Sequence, residues 1–345
     1  MVYITAMDKK LPTIKEIAKQ LNISVSTVSR ALHDHHSIGL RTKILVRELA
    51  KELHYEPNKT AINFKQGKTF TLGVILPNLS ESFFSSAISG IEDYANTQNY
   101  NVLLGQSHDD KEREIRIVEA MKNQRVDGIL VSVSKNTTSY AHFEMLENYN
   151  IPVVFFDRIP EMNNINYVVC KLENGMREAI EFLLKSGHKN IGLINGPQTL
   201  IATQERLDYY TSALKENNLK VNPKFIVSTD LTAESTHVAM KKLLSLEVRP
   251  TAVIAFNDYV ALDAIQFAKK EKVKINKDIS FVSFANLPVC NYMDNPPLAS
   301  VEQFPYQQGQ KAVEILLQLI DAKKSGSVKE PPVINYTIDS KLEIH

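Results

Sequence analysis

Thr13–Leu32 reads TIKEIAKQLNISVSTVSRAL, and the spacing of its apolar residues decides how the N-terminal part folds. Ile14, Ile17, Ala18 and Leu21 fall at helical intervals and make one apolar face. Thr13 stands at the cap, and Glu16 three residues on completes a capping-box pattern. Asn22 and Ile23 form a tight turn. Ser24 caps a second helix, in which Val25, Val28, Ala31 and Leu32 recur at helical spacing. Two short helices around a tight turn are the layout of a helix-turn-helix. A third helix is expected from about Thr42 to Leu53, with Ile44, Leu45, Leu49 and Leu53 as its apolar residues. The polar side of the second helix carries Ser26, Thr27, Ser29 and Arg30. Short hydroxyls can bond phosphates at close range, and one Arg can make a bidentate contact with guanine. Taken alone, such a helix would also serve as an ordinary solvated surface.

Charge favours the first reading. The whole chain carries +1, yet residues 1–68 hold 12 Lys+Arg against 6 Asp+Glu, whereas the rest holds 28 against 33. A basic head on an acidic body is the layout of a nucleic-acid-binding module joined to something else. His33, His35 and His36, with Asp34 among them, could hold a metal. A solvated loop touching the DNA backbone is the preferred reading. Pro57 disfavours helix at Glu56. Asn58 can cap the short segment Lys59–Lys65, which is too short to be stable alone in water.

From Phe70 the pattern changes. TLGVILP, NVLLGQS, DGILVSV, PVVFFD, NIGLING, TAVIAFN and ISFVSFA read as buried strands, with helices expected at 83–98, 110–123 and 139–149 among them. Apolar runs alternating with amphipathic helices predict parallel sheets covered on both faces. The strands are too many for one small sheet, so two lobes are expected. Ligands of such sheets bind beyond the carboxyl ends of the strands. That rule selects Pro77–Phe84, Ser132–Ser134, Asp157-Arg158, Gly196-Pro197, Asn257-Asp258 and Ala285-Asn286. Such a mixture of hydroxyls, amides, carboxylates and aromatics suits a small polar ligand.

Composition limits the alternatives. A chain of 345 residues suggests two or three structural units. It has no apolar run of the about 18 residues that a membrane span needs. MVYITAMDKKLP lacks an apolar signal core, so no secretion is expected. Cys170 and Cys290 give neither a disulfide framework nor a CxxC site, which fits a reducing cytosol. A secreted solute-binding component is disfavoured by that N-terminus and by the basic head. A nucleotide-dependent enzyme is disfavoured because neither GxGxxG nor GxxxxGK[ST] occurs, and no nucleophile–base pair stands out. No catalytic residues, metal or cofactor are expected.

The head resembles the lactose-repressor/galactose-repressor family of bacterial transcription regulators through TIKEIAKQLNISVSTVSRAL, RTK and YEPNKTA, over Thr13–Gly67 without insertion. The resemblance implies that Thr13, Ser24, Thr27 and Ser29 hold phosphates, and that Val25, Ser26 and Arg30 face base edges. It also implies that two hinge segments fold together in the operator's minor groove. Asn58, Lys59 and Phe64 would belong to that contact, with Phe64 wedging between base pairs. The family usually has Asn where this chain has His33.

The body is similar to the same family from about Thr71 to Ile344, through SFFSSAISGIEDYA, VDGILV, IPVVFFDR, FLLKSGHKNIGLINGP, RPTAVIAFND and PPLASVEQF. The implied fold class is a small all-α helix-turn-helix head plus an α/β body with two lobes of periplasmic-binding-protein-like parallel sheets. The implied divisions are 1–57 for the head, 58–69 for the hinge and 70–345 for the effector-binding body. Its N-lobe would hold about 70–168 and 303–331, and its C-lobe about 169–302 and 332–345, with three chain crossings. The resemblance places Phe83 and Phe84 beside an effector, with Asp157, Arg206, Asn257 and Ser134 bonding its polar groups and Ala285 and Asn286 nearby. Relatives that sense sugars often carry Asp at Ala285 and an aromatic at Leu231, and relatives that sense purines have Arg near Leu200. The expected partners are pseudo-palindromic double-stranded operator DNA, a small polar effector such as a sugar or sugar derivative, and a second copy of the chain. The expected location is the cytoplasm, at the nucleoid, with no membrane contact. The sequence leaves both an inducing and a co-repressing effector open.

Overall fold

Residues 12–56, 67–325 and 333–345 are described by the computed structural model, and the chain divides into two compact units before and after Phe70. In the head, α1 (Ile14–Gln20), α2 (Val25–Leu32) and α3 (Leu40–Glu52) enclose Ile17, Ala18, Val28, Ala31, Val46 and Ala50. Asn22 turns between α1 and α2 at φ 52°, a left-handed conformation that Asn tolerates better than most residues. The third helix begins earlier than the sequence suggested. The Gly39 carbonyl accepts from Thr42 N at 3.0 Å and Lys43 N at 3.1 Å, so Leu40 already lies inside the helix. Its fully inward residues are Val46 and Ala50, whereas Ile44 and Leu45 are each 46% exposed. Asp34 is tied to Arg47 and to Lys43, which fastens the loop after α2 onto α3.

The body holds two six-stranded sheets with matching plans. The first contains β1 (Thr71–Leu76), β2 (Asn101–Gln106), β3 (Gly128–Val131), β4 (Val153–Phe156), β5 (Asn166–Lys171) and β11 (Asn335–Asp339), in the order β11-β5-β4-β3-β1-β2. The second contains β6 (Ile191–Asn195), β7 (Ile226–Ser228), β8 (Ala252–Ala255), β9 (Ser280–Phe284), β10 (Ala299–Glu302) and β12 (Lys341–Ile344), in the order β12-β10-β9-β8-β6-β7. All of these pairings are parallel except β10 with β12.

Helices cover both faces of each sheet, as buried parallel strands require. In β1, Leu72, Val74 and Leu76 pack beneath α4 (Ser82–Thr97) and α11 (Pro305–Ser325), while Ile75 packs with Val118 and Met121 of α5 (Lys111–Asn123). Each such buried aliphatic side chain contributes about 1.5–3 kcal/mol. α4 and α11 approach closely at two glycines. A Cβ on Gly90 would lie 2.1 Å from Tyr306 O, and one on Gly309 would lie 2.2 Å from Ala87 O. The helix expected at 139–149 shortens to α6 (Ala141–Glu144), continued as a tighter turn over Met145–Tyr149. In the second lobe α7 (Glu173–Lys185), α8 (Ile201–Glu216), α9 (Ala233–Leu244) and α10 (Asp258–Lys270) supply the cover.

The described chain passes between the lobes three times: after β5, after β10 and after β11. The expected lobe boundary needs correction at the last crossing. Residues 335–339 pair with β5 in the first sheet, and only 341–344 join the second. Likewise β5 carries the first lobe to Lys171 rather than to 168. Ser340 is the single residue between β11 and β12. Its Oγ donates to Lys171 O at 2.8 Å and accepts from Gly175 N at 3.1 Å, which pins one crossing to another.

Candidate functional site

The head presents a polar face on α2. Ser24 Oγ accepts from Thr27 N at 3.1 Å, so the expected cap is formed. The same oxygen lies 2.8 Å from both Ser26 Oγ and Thr27 Oγ1. Thr13, Ser24, Ser26 and Arg30 are exposed, and Thr27 and Ser29 are half-buried. Val25, which periodicity grouped with the apolar face, is 41% exposed at the first position of the helix. Small hydroxyls, one apolar side chain and one guanidinium thus share an accessible surface suited to the grooves and phosphates of a duplex. Glu16 Oε2 accepts from Thr13 N at 2.7 Å, fixing the start of α1. Asn58, Lys59 and Phe64 lie outside the described residues.

The histidines turn to separate partners. His33 Nδ1 is 2.7 Å from Ser29 O, and His35 Nδ1 is 2.8 Å from Ser37 Oγ. His35 stacks on His36, with ring centroids 4.3 Å apart. Desolvation, then the charges of His36, Arg30 and Lys43, hold the His35 imidazole below its usual range.

In the body, a cavity of about 300 Å³ is lined from both lobes. Of the residues selected from sequence, Glu81, Phe83, Phe84, Asp157, Arg158, Arg206, Asn257 and Ala285 line it. The local backbone explains several of these positions. Asp157 (φ 58°) and Ala285 (φ 101°) sit in the left-handed region immediately after β4 and β9, where the chain must turn sharply off the sheet. Asn257 caps α10, its Oδ1 accepting from Val260 N at 2.9 Å. Phe83 and Phe84 meet edge to face at the start of α4, their centroids 5.4 Å apart.

Ser132, Gly196, Pro197 and Asp258 from the strand ends do not line this cavity, nor do Ser134 and Asn286. Ser134 is buried in the first lobe, where its N donates to Glu114 Oε2 and its Oγ to Ser107 Oγ, both at 2.8 Å. Asn286 lines an adjoining cavity, and its Nδ2 donates to Glu302 Oε2 at 2.8 Å. Sequence reasoning missed Tyr167 and Cys170, which β5 contributes, and Glu205, Tyr209, Phe256 and Gln303. Ala202, Glu205, Arg206 and Tyr209 recur at helical spacing along α8, a signal that could have found that wall.

The cavity's charges differ in their support. Arg158 Nη1 donates to Asp109 Oδ1 at 2.8 Å and its Nε lies 4.0 Å from Asp157 Oδ2. Ser132 Oγ donates to Asp157 Oδ2 at 3.2 Å. Burial nonetheless pushes the Asp157 carboxyl up, against the opposing pull of Arg158 and Arg206. Arg206 is 4% exposed. Its guanidinium lies over Phe256 at 4.0 Å and Phe284 at 4.9 Å. Nη1 donates to Ala202 O at 3.2 Å, while the buried Nε has no hydrogen-bond partner. Burial lowers the guanidinium to about 10, so it stays charged at neutral pH. Burial also raises the Cys170 thiol to about 12, leaving it protonated. The lobes touch through Lys135 Nζ, which donates to Asp230 O at 2.8 Å. Among the described residues no cluster of His, Cys, Asp and Glu could hold a metal ion, and no helix is long and apolar enough to cross a membrane.

Two family models match this architecture. Residues 13–58 match the bacterial regulatory proteins of the lacI family, and residues 69–339 match the periplasmic binding proteins and sugar binding domain of the LacI family. Catabolite control protein A of Priestia megaterium is 32% identical over 95% of this chain and 99% of its own length. The HTH-type transcriptional repressor PurR of Aliivibrio salmonicida is 31% identical over 91% of this chain and 93% of its own. Among solved structures, the lac repressor dimer bound to operator and an anti-inducer aligns with a TM-score of 0.80 at 24% identity, covering 96% of this chain and 98% of that one. That likeness establishes the shared fold.

Proposed function

The chain belongs to the lacI family of bacterial regulatory proteins, and from that premise we propose that it is a transcription repressor whose hold on operator DNA is set by a small polar metabolite. It is a regulator and not an enzyme, as its repressor relatives are. It acts in the cytoplasm, on DNA at the nucleoid, as a homodimer reading a pseudo-palindromic site. Two-fold symmetry doubles the contact of a head that binds weakly alone. Ser24, Thr27, Ser29 and Thr13 take phosphates, and Val25, Ser26 and Arg30 take base edges. Asn58, Lys59 and Phe64 complete the contact in the minor groove, with Phe64 as the wedge. The effector, a sugar or sugar derivative, occupies the cavity lined by Phe83, Phe84, Asp157, Arg206 and Asn257.

One observation carries this reading: the same chain holds an exposed Ser/Thr/Arg face on a capped short helix and a buried, charged cavity between two parallel sheets. The test is fluorescence anisotropy of the full chain on genomic duplexes against random sequence. A genomic site should be preferred, and Arg30→Ala should cost about 1–3 kcal/mol at that site while leaving random DNA little changed. Equal losses on both duplexes would remove base reading from Arg30. Absence of any preferred duplex, with or without candidate metabolites, would overturn the proposal.

A further inference from the structure

Resting on the reading of the head as the DNA-binding module, we propose that the loop following α2 is a proton-linked phosphate site: His33, together with the stacked pair His35 and His36, takes up protons as it meets the duplex, so that DNA is held more tightly as pH falls. His33 carries the argument furthest. Its Nδ1 lies 2.7 Å from Ser29 O. A carbonyl only accepts, so Nδ1 must supply the proton of that bond. In the neutral ring this leaves Nε2 with a lone pair. The side chain is exposed, and Nε2 has no hydrogen-bond partner among the described residues. A phosphate oxygen is also an acceptor, so a neutral His33 would meet it with one lone pair against another. A second proton turns Nε2 into a charged donor without disturbing the bond to Ser29 O. The ring is placed for that encounter, because Ser29 and Arg30 belong to the polar face of α2 and His33 directly follows that helix.

The next two histidines act in the same direction through repulsion. The His35 and His36 rings stack with centroids 4.3 Å apart and planes inclined by 27°. Ser37 N donates to His35 Nδ1 at 3.2 Å, a bond that favours the neutral ring. Desolvation, then His36, Arg30 of α2 and Lys43 of α3, hold His35 below its usual range. The one carboxylate in the loop, Asp34, is paired with Lys43 and Arg47. A second charge on this stack is therefore disfavoured in the DNA-free head. A duplex brings about one negative charge per 1.7 Å of its axis and reverses the local potential. A charge of opposite sign favours the protonated imidazole. The DNA-bound ring thus holds its proton to higher pH than the DNA-free ring. The added affinity is complete below the DNA-free pKa and is lost as pH rises through the DNA-bound one. Because His35 starts below its ordinary value, its share of the window lies on the acid side of neutrality.

The experiment is fluorescence anisotropy of the full chain on a random-sequence duplex, whose phosphates suffice for this site, at constant ionic strength from about pH 8 to about pH 5.5. Affinity should rise about tenfold across that range. At the acid end, the fall of log affinity with log salt should be steeper by about 0.9 for each phosphate newly neutralised. A triple variant, with His33→Asn, His35→Asn and His36→Asn, removes the proton-accepting rings and keeps polar side chains in the loop. Checked for folding by circular dichroism at both ends of the range, it should lose both effects. His54→Asn, at an exposed position beyond the end of α3, should leave both intact. Equal pH slopes in the parent and the triple variant would overturn the site, as would a parent whose affinity ignores pH. Absence of binding to any duplex at every pH would instead sink the DNA-binding reading on which the site rests.

Discussion

Arg158 and Arg206 reach the same cavity from opposite lobes, each over a phenylalanine ring, and of the two Arg158 makes a close ion pair while Arg206 feels the carboxylates of Asp157 and Glu205 only from farther off. In the first lobe Asp109 and Asp157 flank Arg158, and Asp109 Oδ1 also accepts from Lys135 N at 2.8 Å. In the second lobe Arg206 has rings and one carbonyl. The difference is not a general carelessness of the second lobe about buried charge. Each lobe buries one carboxylate completely and surrounds it with donors. Glu114 accepts from Ser134 N, from Thr137 Oγ1 and, at 3.1 Å, bonds His142 Nε2. Asp258 accepts from Ser283 Oγ, from Ser300 Oγ at 2.7 Å and from Leu287 N at 2.6 Å. The protein therefore surrounds these two carboxylates with close donors and holds the Arg206 guanidinium mainly between rings.

Substitution in the two carboxylate clusters gives the largest expected effect. Glu114→Ala and Asp258→Ala each leave several buried donors unmet and should destabilise the body by about 3–5 kcal/mol in urea unfolding. A loss confined to one lobe would break the parallel between them. Next comes Arg158→Met, which leaves Asp109 with Lys135 and Asp157 with Ser132 as their remaining close partners and should cost about 1–3 kcal/mol. Arg206→Met should have the opposite sign. Removing a buried cation that has no close ion pair should stabilise the body by about 1 kcal/mol, after subtracting the lost ring contacts. If both arginine variants shift the urea midpoint in the same direction, the contrast between them is wrong.

The smallest effect is a pH dependence. Burial raises the folded-state Asp157 carboxyl above its unfolded value. Such a group favours the folded state fully below the unfolded pKa, and that advantage is lost as pH rises through the folded pKa. Asp157→Asn should thus appear more stable relative to the parent at neutral pH than at pH values below the ordinary carboxylate range. Thermal melts across that window check the sign, and a constant difference at every pH would refute it.

The inner strands were legible because each is a run of apolar residues bounded by turns, as in TLGVIL, AVIA and SFVSF. The rule that ligands sit past strand ends found Asp157, Asn257 and Ala285 because the backbone there does turn into the cavity. The same rule misplaced Ser134, since the Glu114 carboxylate captures its N–H and draws it into the first lobe. The outer strands were not legible. β11 and β12 are largely exposed and short, so Asn335–Asp339 and Lys341–Ile344 lack the apolar run that marks an inner strand. Tyr167 and Cys170 were lost with β5, which lies between β4 and one of those outer strands. Arg206 came from the family resemblance, but its unmet donor depends on the positions of Phe256, Phe284 and Ala202, and no local sequence pattern reports such a vacancy.

Ser340 has a mechanical consequence. With one residue linking β11 to β12, and with its side chain fastening Lys171 to Gly175, the last connection holds almost no spare length. Drawing the halves of the body apart there would break the Ser340 hydrogen bonds. With so short a tie, a change of angle about Ser340 would strain this connection less than a separation of the halves.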